Sequence, residues 1–129
     1  MKRTILVVEG DAGRRKAIVE VLAGAGYDVI AGEDFGAALQ MVDRLGVDVM
    51  ISDLQISAAT PHGRALARLA QRNRASLKLL YVTRTPLPGG RRDAHIAGLG
   101  DILPMPFDRA RLLDKVRSLL EGDEKRTAA

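Results

Sequence analysis

The sequence contains no cysteine and no tryptophan, and it has only two phenylalanines and two tyrosines among 129 residues. The absence of cysteine excludes disulfide bonds, thiolate metal ligands and a cysteine nucleophile, and it is typical of an intracellular protein. The scarcity of aromatic side chains leaves little surface on which nucleic-acid bases could stack. Metal chemistry would therefore depend on carboxylates or on the two histidines, His62 and His95.

Long apolar runs are also missing. The aliphatic run at residues 5–8 follows Lys2 and Arg3 but stops at Glu9, too soon for a signal peptide. No later stretch reaches the length needed to cross a membrane, so we expect a cytoplasmic protein without a membrane partner. A hydrophobic fraction of 47% over this length is sufficient for one domain with a real core.

Positive charge is in excess, with a formal net charge of +4. Arg64, Arg68 and Arg72 recur every fourth residue and would form a stripe along one helix. Such a stripe can bind nucleic-acid phosphates, but it is also an ordinary solvated helix face. Because other arginines are scattered through the chain and aromatic residues are scarce, we favour the solvated face. Nucleic-acid binding is kept as an alternative.

Strand-like and helix-like segments alternate five times along the chain. Aliphatic strand patterns occur at 4–8, 27–31, 47–52, 77–83 and 101–103, and helical periodicity follows each, most briefly at 91–97. Five such units predict a parallel sheet with helices on both faces, because right-handed crossovers allow little else at this length. The chain is therefore expected to be an α/β protein.

Polar residues and glycines indicate where the helices begin and end. Asp34, Thr60 and Asp108 are placed to cap the second, third and last helices. Gly46 and Gly122 are placed to end the second and the last. A polar loop is expected between the third strand and Thr60.

Ligands of parallel α/β sheets bind at the carboxyl ends of the strands, so the residues that follow each strand are the candidates. These are Glu9-Gly10-Asp11, Asp53, Thr83-Arg84 and Met105-Pro106. The glycines of the first segment do not fit a dinucleotide-binding loop, and its acids would repel a phosphate. No serine–histidine–aspartate triad or acid–base pair is indicated, so we do not expect an enzyme.

Taken in order, these strand ends resemble the receiver domains of two-component response regulators, the flavodoxin-like fold of the chemotaxis regulators. ILVVEGD is similar to the family's ILVVEDD, and VDVMISDL to its strand that ends in the phosphoacceptor Asp-Leu. LLYVT is similar to the strand ending in Thr or Ser, and DILPMPFD to the Lys-Pro-Phe segment. The resemblance runs from residue 4 to about 120. It implies a doubly wound (βα)5 three-layer sandwich with strand order 2-1-3-4-5 over residues 1–121, followed by a polar tail at 122–129.

The resemblance also implies a role for each strand-end residue. Asp53 corresponds to the carboxylate that accepts a phosphoryl group from a sensor histidine kinase or phosphotransfer protein, and Thr83 to the hydroxyl that contacts that group. Glu9, Asp53 and the backbone carbonyl of Gln55 would hold Mg²⁺, with Asp11 as an alternative ligand. The N-cap of the first helix is the favoured role for Asp11.

Several positions depart from the family pattern. Gly10 stands where a second acid is usual, so one metal-organising carboxylate is missing. Met105 replaces the lysine before the conserved proline and can supply neither charge nor a hydrogen-bond donor. Ile102 replaces the aromatic residue that rotates on activation. Arg84 could cover the pocket or lend its guanidinium to Asp53, or it could simply be exposed to solvent.

These departures predict an atypical single-domain receiver whose phosphorylation is impaired or absent, with weak Mg²⁺ binding. It would act by contact with other proteins, an output protein among them, as a monomer or weak homodimer. Ser57 and the late position of Gly63 suggest a longer, reshaped loop after Asp53. A working phosphoacceptor in which Asp11 and Arg84 compensate is an alternative within signalling.

Overall fold

A single parallel sheet organises the chain, which we describe from a computed structural model over residues 2–84 and 96–128, with residues 123–128 by backbone alone. Within these residues the strands lie in the order β2-β1-β3-β4-β5. The strands are β1 Thr4–Val8, β2 Asp28–Gly32, β3 Val49–Asp53, β4 Lys78–Arg84 and β5 Asp101–Met105. The helices are α1 Ala12–Gly24, α2 Phe35–Leu45, α3 Leu54–Ala59, α4 Gly63–Asn73 and α5 Arg109–Ala128. The predicted fold and strand order are confirmed.

Alternating aliphatic side chains bury both faces of the sheet. Ile5 and Val7 of β1 pack with α1 and α5, whereas Leu6 and Val8 pack with α2 and α4. This is the period-two pattern of a strand, and both sets are buried because helices cover both faces. None of the helices in the described ranges is both long and apolar enough to span a bilayer.

The sheet register brings the functional strand ends to one edge. Val8, which directly precedes Glu9, pairs with Ser52, and Asp53 pairs with Val82 of the next strand. Parallel strands end at the same edge, so the residues that follow β1, β3, β4 and β5 are neighbours there.

The segment between Asp53 and α4 differs from the prediction. It forms the short helix α3 instead of a polar loop, and Thr60 closes that helix by donating its hydroxyl to the Ile56 carbonyl at 2.8 Å. Thr60 was therefore wrongly predicted to cap the next helix. That helix begins after His62, which has a left-handed backbone (φ 58°) and no side-chain capping bond. Gly63 is needed here because a Cβ would lie 2.7 Å from the Ser57 carbonyl oxygen.

Most predicted helix ends are confirmed. Asp34 accepts a hydrogen bond from the Ala37 amide at 3.0 Å, and Gly46 ends α2 with a left-handed backbone. Asp108 likewise caps α5. Gly122 was wrongly predicted to end α5, which continues to Ala128. A glycine inside a helix costs only about 1 kcal/mol relative to alanine, so a favourable neighbourhood can override it. Residues 91–95 of the predicted fourth helix, with His95, lie outside the described residues.

Candidate site at the carboxyl ends of the strands

The predicted site residues surround a very small cavity at the carboxyl edge of the sheet. It measures about 20 Å³ and is lined by Arg14, Asp53, Gln55, Thr83, Arg84 and Met105. That volume holds about one water molecule. The structure therefore brings together the predicted residues of the third, fourth and fifth strand ends and adds Arg14 to them. The predicted residues Glu9 and Asp11 do not line this cavity and join the group through Arg14.

Asp53 is the last residue of β3 and also the N-cap of α3. Its Oδ1 accepts a hydrogen bond from the Gln55 amide at 2.7 Å. Its Oδ2 lies 3.6 Å from Nη1 of Arg14, and the side chain is 14% exposed. Both carboxylate oxygens thus have a partner within the protein.

Glu9 follows β1 and is buried. Its Oε1 accepts hydrogen bonds from the Asp11 amide at 3.1 Å and from Nη1 of Arg14 at 3.3 Å. The Glu9 backbone carbonyl accepts a further bond from the Arg15 guanidinium at 2.7 Å. A buried carboxylate is costly unless it is paired, and Arg14 supplies the paired charge.

Arg14 is the central cation of the site. The same atom, Nη1, contacts Glu9 and Asp53, and Nη2 lies 3.9 Å from Oδ2 of Asp11. A single guanidinium therefore faces three carboxylates. Sequence reasoning missed this residue, because Arg14 follows no strand and reaches the site only by extending from the first turn of α1.

Asp11 is the N-cap of α1, as predicted. Its Oδ1 accepts hydrogen bonds from the amides of Gly13 at 2.9 Å and Arg14 at 3.2 Å. These bonds, the Arg14 amide first, hold the pKa of Asp11 below its ordinary value of 3.8. Capping already engages this carboxylate, which the sequence also offered as an alternative metal ligand.

Gly10 is covered by an apolar side chain. A Cβ built on Gly10 would lie 3.1 Å from Cδ1 of Ile56, which belongs to α3. A residue with a side chain fits at this position only if the flexible end of Ile56 moves by a few tenths of an ångström. The extra helix after Asp53 thus helps to fill the space beside Gly10.

Thr83, Arg84 and Met105 form the other walls of the cavity, whereas Ile102 does not line it. Thr83 is buried and donates its hydroxyl to its neighbour's carbonyl, that of Arg84, at 3.3 Å. Arg84 is exposed, and the cation that contacts Asp53 is Arg14. Met105 packs on the α1 and α5 side of the sheet, while Ile102 packs on the opposite side. The roles in phosphoryl binding and switching stay predictions.

A buried pair of hydroxyls supports the turn at Asp53. The Oγ atoms of Ser52 and Ser57 lie 2.5 Å apart, and each is 3.1 Å from the Asp53 carbonyl oxygen. Both side chains are buried. Ser57 thus stabilises the first turn of α3, where the sequence predicted only a reshaped loop.

The basic stripe lies away from these contacts. Arg64, Arg68 and Arg72 are exposed on α4, which is the solvated face that the sequence favoured. Nucleic-acid binding by this face stays an alternative prediction of the function.

The carboxylates fit Mg²⁺ poorly as they are arranged. Mg²⁺ needs near-octahedral oxygen ligands at short range, with several retained waters. Here Glu9 and Asp53 share a guanidinium, Asp11 caps a helix, and the cavity has room for about one water. Within residues 2–84 and 96–122, no cluster of three His, Asp or Glu side chains is arranged to hold a metal ion.

A five-stranded parallel sheet in this order is the flavodoxin-like arrangement, and an aspartate ends its central strand at the edge where such sheets bind ligands. The sequence matches the response regulator receiver domain family over residues 5–117, and the chain belongs to that family. It is 30% identical over 125 residues to the response regulator MprA of Mycobacterium leprae (strain TN), covering 97% of this chain and 54% of that protein. The chain thus spans about half the length of such curated relatives.

Solved structures show the same fold. A response regulator receiver domain protein (CheY-like) from Methanospirillum hungatei JF-1 has a TM-score of 0.81 at 20% identity, with 98% of this chain and 99% of that one covered. The chemotaxis response regulator CheY4 of Vibrio cholerae has a TM-score of 0.74 at 22% identity, with 93% and 100% covered. At these identities the likeness concerns the fold alone.

Proposed function

We propose that this chain is an atypical receiver in which the Arg14 guanidinium takes the position of the divalent cation, so that Asp53 is phosphorylated poorly or not at all. The observation that carries the proposal is the contact of one guanidinium atom with both Glu9 and Asp53, at 3.3 and 3.6 Å. Receivers of this family work with histidine kinases and output domains. The proposed output of this one is protein–protein contact in the cytoplasm, without catalysis.

Phosphoryl transfer to an aspartate requires cations around the incoming phosphoryl oxygens, because the product is a dianion next to other carboxylates. The family places a metal ion on one side and a lysine on the other. In this chain Met105 occupies the lysine position, and a thioether offers no charge. Arg14 supplies one positive charge, which the two negative charges of Glu9 and Asp53 already outweigh.

The volume of the cavity beside Asp53 also supports poor phosphorylation of this residue. The cavity beside Asp53 measures about 20 Å³, the volume of about one water, so a phosphoryl group with a hydrated metal ion would fit only after lining side chains such as Arg14 had moved. Phosphorylation would require Arg14 to leave Glu9 and Asp53. Because Glu9 is buried, its loss of that partner would be unfavourable.

The alternative of a working phosphoacceptor assigned compensating roles to Asp11 and Arg84. Asp11 accepts two backbone amides at the start of α1, and Arg84 is exposed. Asp11 is thus engaged as a helix cap, and Arg84 lines the cavity beside Asp53 without forming an ion pair with it. Arg14 is a better candidate for a compensating cation, but it is placed where the metal would bind.

The proposal is tested by phosphorylation with phosphoramidate and Mg²⁺, followed by intact-protein mass spectrometry. The parent chain is compared with Arg14→Met, with the double variant Gly10→Asp/Met105→Lys, and with the triple variant that combines all three changes. We expect little phosphoryl incorporation in the parent. The triple variant should incorporate the phosphoryl group at least about tenfold faster, which corresponds to an activation barrier lower by about 1.4 kcal/mol. Each partial variant should fall between them.

Two controls make the result specific. The triple variant carrying Asp53→Asn should incorporate no phosphoryl group, which assigns the modification to Asp53. Circular dichroism should show that every variant is folded, because the Asp introduced at position 10 must displace Ile56. If the parent incorporates a phosphoryl group as fast as the triple variant, the proposal is wrong.

A further inference from the structure

A second, much larger concavity lies between α1 and the segment that joins β5 to α5. This groove measures about 750 Å³. Ala17 and Val21 of α1 form one wall, and Met105, Phe107 and Leu112 form the other. Ala17 is exposed and most of the others are only half-buried, so the groove presents apolar surface to solvent. Its volume lies within the range of small-molecule sites, roughly 300–1,000 Å³.

The groove carries excess positive charge. Arg84 and Arg109 line it, against the single acid Asp108. Arg14 lines it too, but its charge is already paired with Glu9 and Asp53. Oδ1 of Asp108 already caps α5 by accepting the Arg111 amide. Arg84 and Arg109 are exposed and have no carboxylate partner among residues 2–84 and 96–122.

The arginines are spread along the apolar surface. Nη2 of Arg109 lies 3.9 Å from where a Cβ of Gly24 would be, so it extends toward the end of α1. Arg14 and Arg84 stand at the side nearer Asp53, since they also line its small cavity. The two exposed guanidinium groups, those of Arg84 and Arg109, thus stand in different parts of the groove lining.

We propose that this groove binds a small organic anion with an apolar body, such as an aryl or acyl carboxylate. The apolar walls would bury the body, and the guanidinium groups would pair with the carboxylate. The concave shape favours a small molecule over a protein helix, because stable protein contacts bury about 800 Å² per partner on a broader surface. The proposal does not depend on whether Asp53 is phosphorylated.

The test uses 2-naphthoate and its neutral analogue 2-naphthamide, titrated into the ¹⁵N-labelled 129-residue chain and followed by amide chemical shifts. We expect saturable shifts on α1 and on the segment from Met105 to Leu112. Naphthoate should bind about fivefold more tightly than naphthamide, which is the scale of a partly exposed ion pair. Binding of the two probes at equal affinity, or shifts centred elsewhere, would overturn the proposal.

Variants distinguish the contribution of the arginine charges to probe binding from that of the apolar walls. The double variant Arg84→Gln/Arg109→Gln should lose the preference for naphthoate, whereas the matched double variant Arg64→Gln/Arg68→Gln on α4 should keep it. Ala17→Phe should fill the groove and weaken both probes at least about fivefold, and the exposure of Ala17 makes this change compatible with folding. If Ala17→Phe is folded by circular dichroism and binds naphthoate as the parent does, the groove is not the site.

Discussion

Replacing Arg14 by methionine removes the guanidinium and keeps a shorter, unbranched and flexible side chain. The variant leaves Glu9 and Asp53 without the cation that now lies 3.3 and 3.6 Å away. At an effective dielectric constant near 20, each of these attractions is worth roughly 5 kcal/mol before desolvation is counted. Glu9 is buried and cannot recover this energy from water.

The net effect is smaller than the sum of these attractions. The Arg14 side chain is 29% exposed, so water already screens part of its charge, and Asp53 can gain some hydration when Arg14 is lost. Removing one partner of a buried ion pair costs about 3–5 kcal/mol. We therefore expect Arg14→Met to lower the free energy of unfolding by about 3 kcal/mol at pH 7.

Urea denaturation followed by circular dichroism measures this change. The matched control is Lys16→Met, which makes the same charge change on α1. Lys16 is 78% exposed and its nearest carboxylate, that of Glu20, is 4.0 Å away, so we expect a change within about 0.5 kcal/mol. If Arg14→Met is as mild as Lys16→Met, then Arg14 does not neutralise the buried carboxylates and the reasoning fails.

Three further outcomes are expected. Beryllofluoride, a phosphoryl mimic, should leave the amide shifts around Thr83 nearly unchanged, because a ligand shifts a population only through differential contacts; large shifts there would show an intact switch. Folding lowers the pKa of Asp11, so this carboxylate stabilises the fold above pH 3.8, and the stabilisation is lost as the pH falls through the lowered pKa. The free energy of unfolding of Asp11→Asn, measured with urea at several pH values, should lack this part of the pH dependence. Gly100→Ala should destabilise the fold by about 1–3 kcal/mol in the same assay, because its Cβ would collide with the Leu79 backbone, whereas Gly32→Ala, with open space around it, should have a much smaller effect.

The sheet was predictable because its strands are short aliphatic runs buried on both faces. That pattern predicts parallel strands directly, and the resemblance supplied the strand order. Helix starts were predictable where an aspartate capped the first turn, as Asp34 does. Thr60 misled the prediction because its hydroxyl could serve either helix, and only the position of α3 decides that it closes the earlier one.

The sequence predicted only those residues of the candidate site that the sheet places. Strand-end residues such as Asp53 and Thr83 are placed by the sheet, so topology alone brings them together. Arg14 reaches the site through a long side chain whose direction depends on the packing of α1. Similarly, Ile56 lies over Gly10 only because α3 exists, and no local pattern shows that contact.

The claim that Arg14 stands in place of the metal ion is tested most directly by titrating Mg²⁺ into the parent chain and into Arg14→Met. The amide of Gln55 is the reporter, because it donates to the Asp53 carboxylate. We expect no saturation in the parent below about 10 mM Mg²⁺, and tighter, saturable binding in Arg14→Met, where Glu9 and Asp53 no longer share a guanidinium. Saturation of the parent near about 1 mM, unchanged by the loss of Arg14, would contradict the account.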